Sequence, residues 1–100
     1  MGLTCVKEQI TWGNLKYLGG YPNKIKHFIC GLYKEGDKIE FRGGVIWQVQ
    51  FLIKREYIID FRINSNYILM EIIYNYAEIE LLFTASNIKC AYNKMITAVY

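Results

Sequence analysis

Beyond Gly44, apolar and polar residues alternate in runs parted by short polar breaks. Val45, Trp47, Val49, Phe51 and Ile53 share one parity; Ile59, Phe61 and Ile63 follow, then Ile68, Met70, Ile72 and Tyr74, then Ala77, Ile79, Leu81 and Phe83. Successive side chains of a strand point to opposite faces, so each set predicts a strand with one buried face. Upstream, residues 15–19 predict a first strand, ended by the turn cluster Gly19-Gly20-Tyr21-Pro22-Asn23. Residues 26–33 and 38–42 predict a second and third, joined by the hairpin signal Glu35-Gly36-Asp37. The fourth spans 46–53, with Gln48, Gln50 and Lys54 on its solvent face, and the polar break Lys54-Arg55-Glu56 suits one helical turn. Strands over 57–63, 67–74 and 77–83 complete the set, and the breaks between them are short enough to demand antiparallel neighbours.

After Thr84 the period becomes helical. Ile88, Ala91, Tyr92, Met95, Ala98 and Val99 recur at the i, i+3, i+4, i+7 spacing of one buried face, with Ser86 the expected N-cap of a helix over 86–99. The helix reaches the last residue without a capping glycine, so either its final turn frays or the chain continues in a longer protein. Residues 1–12 form a lead-in in which Ile10 and Trp12 are expected to pack. The pattern therefore predicts one mainly β domain: strands over 14–83 closed off by a C-terminal helix.

Composition narrows the class. One hundred residues make one domain with one core. Aromatic residues are plentiful, proline occurs once and no low-complexity tract is present, which argues for a folded chain. No apolar stretch approaches the length of a membrane span, and residues 1–8 lack the features of a signal peptide. Met1-Gly2 is not followed by the Ser or Thr of a myristoylation signal, since position 6 is Val. Cys5, Cys30 and Cys90 are odd in number and far apart, which suits free buried thiols and a cytoplasmic setting better than disulfides or zinc. The Lys, Ile, Asn and Tyr content fits an AT-rich genome.

Seven strands followed by one amphipathic helix is the element order of the pleckstrin-homology-like fold. Local residues agree. Leu15-Lys16-Tyr17-Leu18-Gly19-Gly20-Tyr21-Pro22 resembles the opening of small bacterial PH-like and GRAM-like domains. Gly31-Leu32-Tyr33 followed by Ile39-Glu40-Phe41 resembles their second and third strands, and Phe51-Leu52-Ile53 with Ile58-Ile59-Asp60-Phe61-Arg62-Ile63 resembles a later passage. Lys54-Arg55-Glu56-Tyr57 departs from the Pro-Trp-Glu type of step common there. The resemblance covers about residues 14–99 and implies a partly open barrel of seven antiparallel strands in two nearly orthogonal sheets, one end plugged by the helix.

Candidate chemistry is sparse. His27 is the single histidine, and three residues separate it from Cys30, so on a strand the two point to opposite faces and form no nucleophile–base pair. Asp37 and Asp60 are the only aspartates, no His, Cys or carboxylate cluster has metal-ligand spacing, and Gly19-Gly20 and Gly43-Gly44 lack the strand-to-helix setting of a phosphate loop. The chain is therefore read as non-enzymatic, with no cofactor and no metal. Charge is segregated more than it is large. The net charge is +3, residues 13–34 hold Lys16, Lys24, Lys26 and Lys34 with no acid, and residues 67–83 hold Glu71, Glu78 and Glu80 with no base.

Two surfaces follow. If the inward sets are right, Ile46, Leu52, Ile58, Leu69, Ile73 and Leu82 point outward, and Leu69, Ile73 and Leu82 either make a candidate protein interface or pack under residues 1–12. Eukaryotic PH domains often hold phosphoinositides on a basic loop between the first two strands. The resemblance thus offers Lys24, Lys26 and His27 as an alternative site for an anionic lipid or ligand. The modest charge, with its aromatics on the core-facing period, argues against nucleic acid. The sequence thus reads as a cytoplasmic binding or scaffolding module that associates with proteins, either itself or another domain.

Overall fold

A computed structural model describes residues 8–10, 14–22 and 27–100. In chain order the elements are β1 (Glu8–Gln9), β2 (Leu15–Gly19), β3 (Phe28–Glu35), β4 (Lys38–Gly43), β5 (Gln48–Lys54), β6 (Ile58–Ile63), β7 (Ile68–Tyr74), β8 (Ala77–Ala85) and α1 (Ile88–Val99). A single 3-10 turn, Arg55–Tyr57, joins β5 to β6 at the polar break. Every pairing is antiparallel, along the path β5-β4-β3-β2-β8-β7-β6. The two-residue β1, an addition to the seven expected strands, lies off this path and pairs with Tyr33 and Lys34 of β3. Ile10 behind it is buried, while Trp12 lies outside the described residues.

The strands make one continuous antiparallel sheet that is not closed into a barrel; β5 and β6 stand at its two ends. It is nevertheless strongly curled. Three ladder steps separate β5 from β2, about 14 Å in a flat sheet, yet the rings of Phe51 and Tyr17 lie 5.2 Å apart. Likewise Phe41 on β4 meets Phe83 on β8 at 5.9 Å. Phe51 is stacked between Phe41 at 4.5 Å and Tyr21 at 4.4 Å, and Tyr21 meets Tyr74 edge-on. This aromatic column is the centre of the core. Tyr17, wholly buried, satisfies its hydroxyl by accepting the Tyr21 backbone N–H at 2.8 Å. At the corner, a side chain on Gly20 (φ 117°) would run into the Glu80 carbonyl, so β2 can turn against β8 only with glycine there.

Alternation predicts β7 well: Ile68, Met70 and Ile72 are buried and Tyr74 is packed at their edge. It also holds for Leu81 and Phe83, whereas Ala77 is exposed and Ile79 half-buried. It fails at two β-bulges. In β5, Phe41 opposes Phe51 but Arg42 opposes Val49, so Gln50 is an extra residue and the parity flips. Phe51 and Ile53 are buried as expected, but Val49 is 40% exposed. The strand starts at Gln48, not at 46, because residues 44–47 form a turn in which Val45 and Ile46 are exposed to solvent. Trp47 leaves the core parity altogether, with φ 53° and its ring folded back over Gly31.

In β6, Ile58 opposes Ile72 while Asp60 opposes Glu71, which makes Ile59 the extra residue. Ile58, expected outside, is therefore in the core with Phe61, and Ile59 and Ile63, expected inside, are exposed. A third bulge falls at Leu18 of β2. Bulges bend the strand that carries them and steepen its twist, which is how a seven-strand path curls enough to stack Phe41 on Phe83.

The helix buries Ala91, Met95 and Val99, as its spacing predicts, and packs on β6 and β8. Its cap is Asn87, not Ser86: the Asn87 side chain accepts the Cys90 N–H at 3.1 Å. The last turn holds, with Tyr100 N–H bonded to Ile96 O and Tyr100 OH donating to Ile59 O at 3.2 Å. No helix among the described residues is long and apolar enough to cross a membrane.

Candidate interaction surface

The outer face of β7 and β8 carries the predicted apolar residues. Leu69 and Leu82 are register partners, so their side chains lie side by side, both half-buried. Gly19 flanks Leu82 on β2, and Arg62 flanks Leu69 on β6. Ile73 lies on the same face two alternations further along β7, opposite Glu78, and is 41% exposed. Structure thus brings Leu69 and Leu82 together and sets Ile73 apart from them. Between them Glu71 opposes Glu80. Arg62 relieves that like-charge contact by binding Glu71 at 2.6 Å, with Asp60 at 3.8 Å.

Ile73 belongs to a second feature that the sequence does not reveal. Where the curled sheet stays open, β5 comes alongside the end of β7, leaving a groove of about 200 Å³ lined by Tyr21, Leu52, Lys54, Tyr57, Ile73 and Tyr74. Leu52, Tyr57 and Ile73 are each more than 40% exposed. Leu52 is legible in the sequence as an outward residue; its neighbour across the opening is not, because that contact depends on how far the sheet curls.

On the outer side of β3 and β4 a polar cluster is assembled around a buried acid. Glu40 is 5% exposed and takes Arg42 Nη2 at 3.3 Å. The Arg42 guanidinium sits 5.2 Å from the centre of the Tyr33 ring, and Tyr33 OH accepts the Trp47 indole N–H at 3.0 Å. These three contacts tie β3, β4 and the β4–β5 turn together and read as a structural clamp on that turn.

The largest cavity, about 740 Å³, lies between residues 64–66 and the start of α1. Three of its polar side chains are occupied locally: Asn64 Oδ1 accepts the N–H groups of Asn66 and Tyr67, Thr84 Oγ1 donates to Asn66 O, and Asn87 caps the helix. His27 is exposed at the head of β3 and Cys30, three residues on, is buried in the core, so these two form no nucleophile–base pair. Lys24 and Lys26, the rest of the predicted anionic-ligand site, lie outside the described residues. Among the described residues no three His, Cys, Asp or Glu side chains converge as a metal site would require. Comparison with known proteins finds no matching family model, no matching curated protein and no matching solved structure.

Proposed function

We propose that this chain is a non-catalytic, PH-like or GRAM-like module of the cytoplasm whose work is protein–protein association. The strand path supports the fold reading: a four-stranded meander (β2–β5) and a three-stranded one (β6–β8) join where the first long strand pairs with the last, and one helix follows. We read the bulged, curled sheet as the two packed layers of that fold, sharing strands at the bend. Free thiols at Cys30 and Cys90 support the cytoplasmic setting.

One observation carries the association reading. Leu69 and Leu82 face each other on the outside of the sheet, with Ile73 further along the same strand, on the side away from the helix and the core. An apolar pair on an outer face is costly to leave in water and productive when a partner covers it. Leu69→Glu combined with Leu82→Lys replaces the pair by one whose charges attract across the strands, so the fold keeps its register. Light scattering across a wide concentration range, alone and with a partner, should show the wild-type complex disappear in this double variant while the thermal midpoint stays close to that of the wild type. A complex that persists unchanged overturns the assignment of this face.

A further inference from the structure

The groove between β5 and β7 has opposite charge on its two banks. On the β5 bank Lys54 opposes Lys38 in the β4–β5 register, and both are exposed on the outer face with Leu52. Two like charges face each other there, and among the described residues neither lysine has an ion pair. Glu35 stands beyond Lys38, one strand further from the groove. On the β7 bank Ile73 opposes Glu78, and Glu80 follows two residues on along the same face of β8. Both glutamates are exposed. Between the banks lie Leu52, Tyr57 and Ile73. The order across the opening is therefore basic, apolar, acidic.

A surface with that order is complementary to itself under one operation. A two-fold axis through the apolar strip carries the basic bank of one copy onto the acidic bank of the other and pairs strip with strip, which is the requirement of an isologous interface. We propose that this groove is the contact of a homodimer, in which Lys38 and Lys54 of each copy face Glu78 and Glu80 of the other across a shared strip of Leu52, Tyr57 and Ile73. The proposal rests on the association reading above, names a second copy of this chain as the partner, and moves the self-contact from the Leu69–Leu82 pair to the groove, so a dimer that survives Leu69→Glu with Leu82→Lys is its expected outcome.

Charge reversal tests it with residues that are all exposed, so the fold is not at stake. Lys38→Glu with Lys54→Glu makes both banks acidic; Glu78→Lys with Glu80→Lys makes both basic. In sedimentation equilibrium the wild type should dimerise more weakly as salt rises. Each variant alone should bind itself at least roughly tenfold more weakly than the wild type. An equimolar mixture of the two should regain a dimer holding one of each, since all-acidic then meets all-basic. A wild type that stays monomeric at every concentration overturns the homodimer and leaves association with a different protein standing. A wild-type dimer whose affinity ignores both reversals overturns this contact and leaves self-association through Leu69 and Leu82 standing.

Discussion

Trp47 holds a φ of 53°, a region that costs a residue with a side chain roughly 1–2 kcal/mol. What offsets the strain is the indole, laid over Gly31 with its N–H on Tyr33 OH. A Cβ on Gly31 would sit 2.5 Å from the indole carbon Cζ2, so the clamp exists only because β3 has glycine at that point. Nearby Cys30 shows burial acting on chemistry. Loss of solvation pushes its thiol far above the ordinary 9.0, and burial likewise raises the Tyr17 phenol above 10.0. Well below about pH 9 both groups keep their protons whether the chain is folded or not. Above that the unfolded chain releases them, Cys30 before Tyr17, while the folded chain retains them. The unfolded state then binds fewer protons, so stability falls as pH rises. The urea midpoint should begin to drop near pH 9, and Cys30→Ala should move the onset towards 10. A wild-type midpoint that stays level well past pH 10 contradicts the burial of both groups.

At the scale of elements, the helix is the simplest to test. Asn87 satisfies the Cys90 N–H, so Asn87→Ala should cost about 0.5–2 kcal/mol in chemical denaturation. Ser86→Ala should stay within about 0.5 kcal/mol of the wild type. Equal effects would return the cap to Ser86. The two residues are equally good caps on paper, and only the direction of the entering chain selects between them. The same division runs through the strands. Order, number and polarity of the long strands are legible because burial of one face imposes a period of two. The bulges at Leu18, Gln50 and Ile59 are not, since an extra residue leaves no mark in an alternating sequence rich in Ile, Leu and Val. Ile58 and Ile59 are both apolar, so the pattern cannot say which turns inward; the pairing with β7 decides it. Of the candidate surface, Leu69 and Leu82 are readable from hairpin parity, whereas the closeness of Leu52 to Ile73 is set by the curl.

For the molecule as a whole, one aromatic column ties together strands remote in the sheet. Phe51 touches Tyr17, Tyr21, Phe28 and Phe41, and Phe41 in turn reaches Phe83. Phe51→Ala should therefore destabilise the protein by about 3–5 kcal/mol. Because the buried residues described form one cluster, near- and far-ultraviolet circular dichroism should melt together in wild type and variant alike. Separate transitions would mean an intermediate that keeps its strands after the aromatic column has lost its packing.

The shared flank of β3 has a mechanical meaning. Its lower rungs, from Phe28 to Cys30, belong to β2, and its upper ones, Tyr33 and Lys34, to β1. Among the described residues no other strand pairs with β1, and the chain of rungs from β5 to β6 bypasses it. Tension arriving from the N-terminal side would peel that short strand away one rung at a time before it strained β2. Losing β1 would leave every other described rung of the sheet in register.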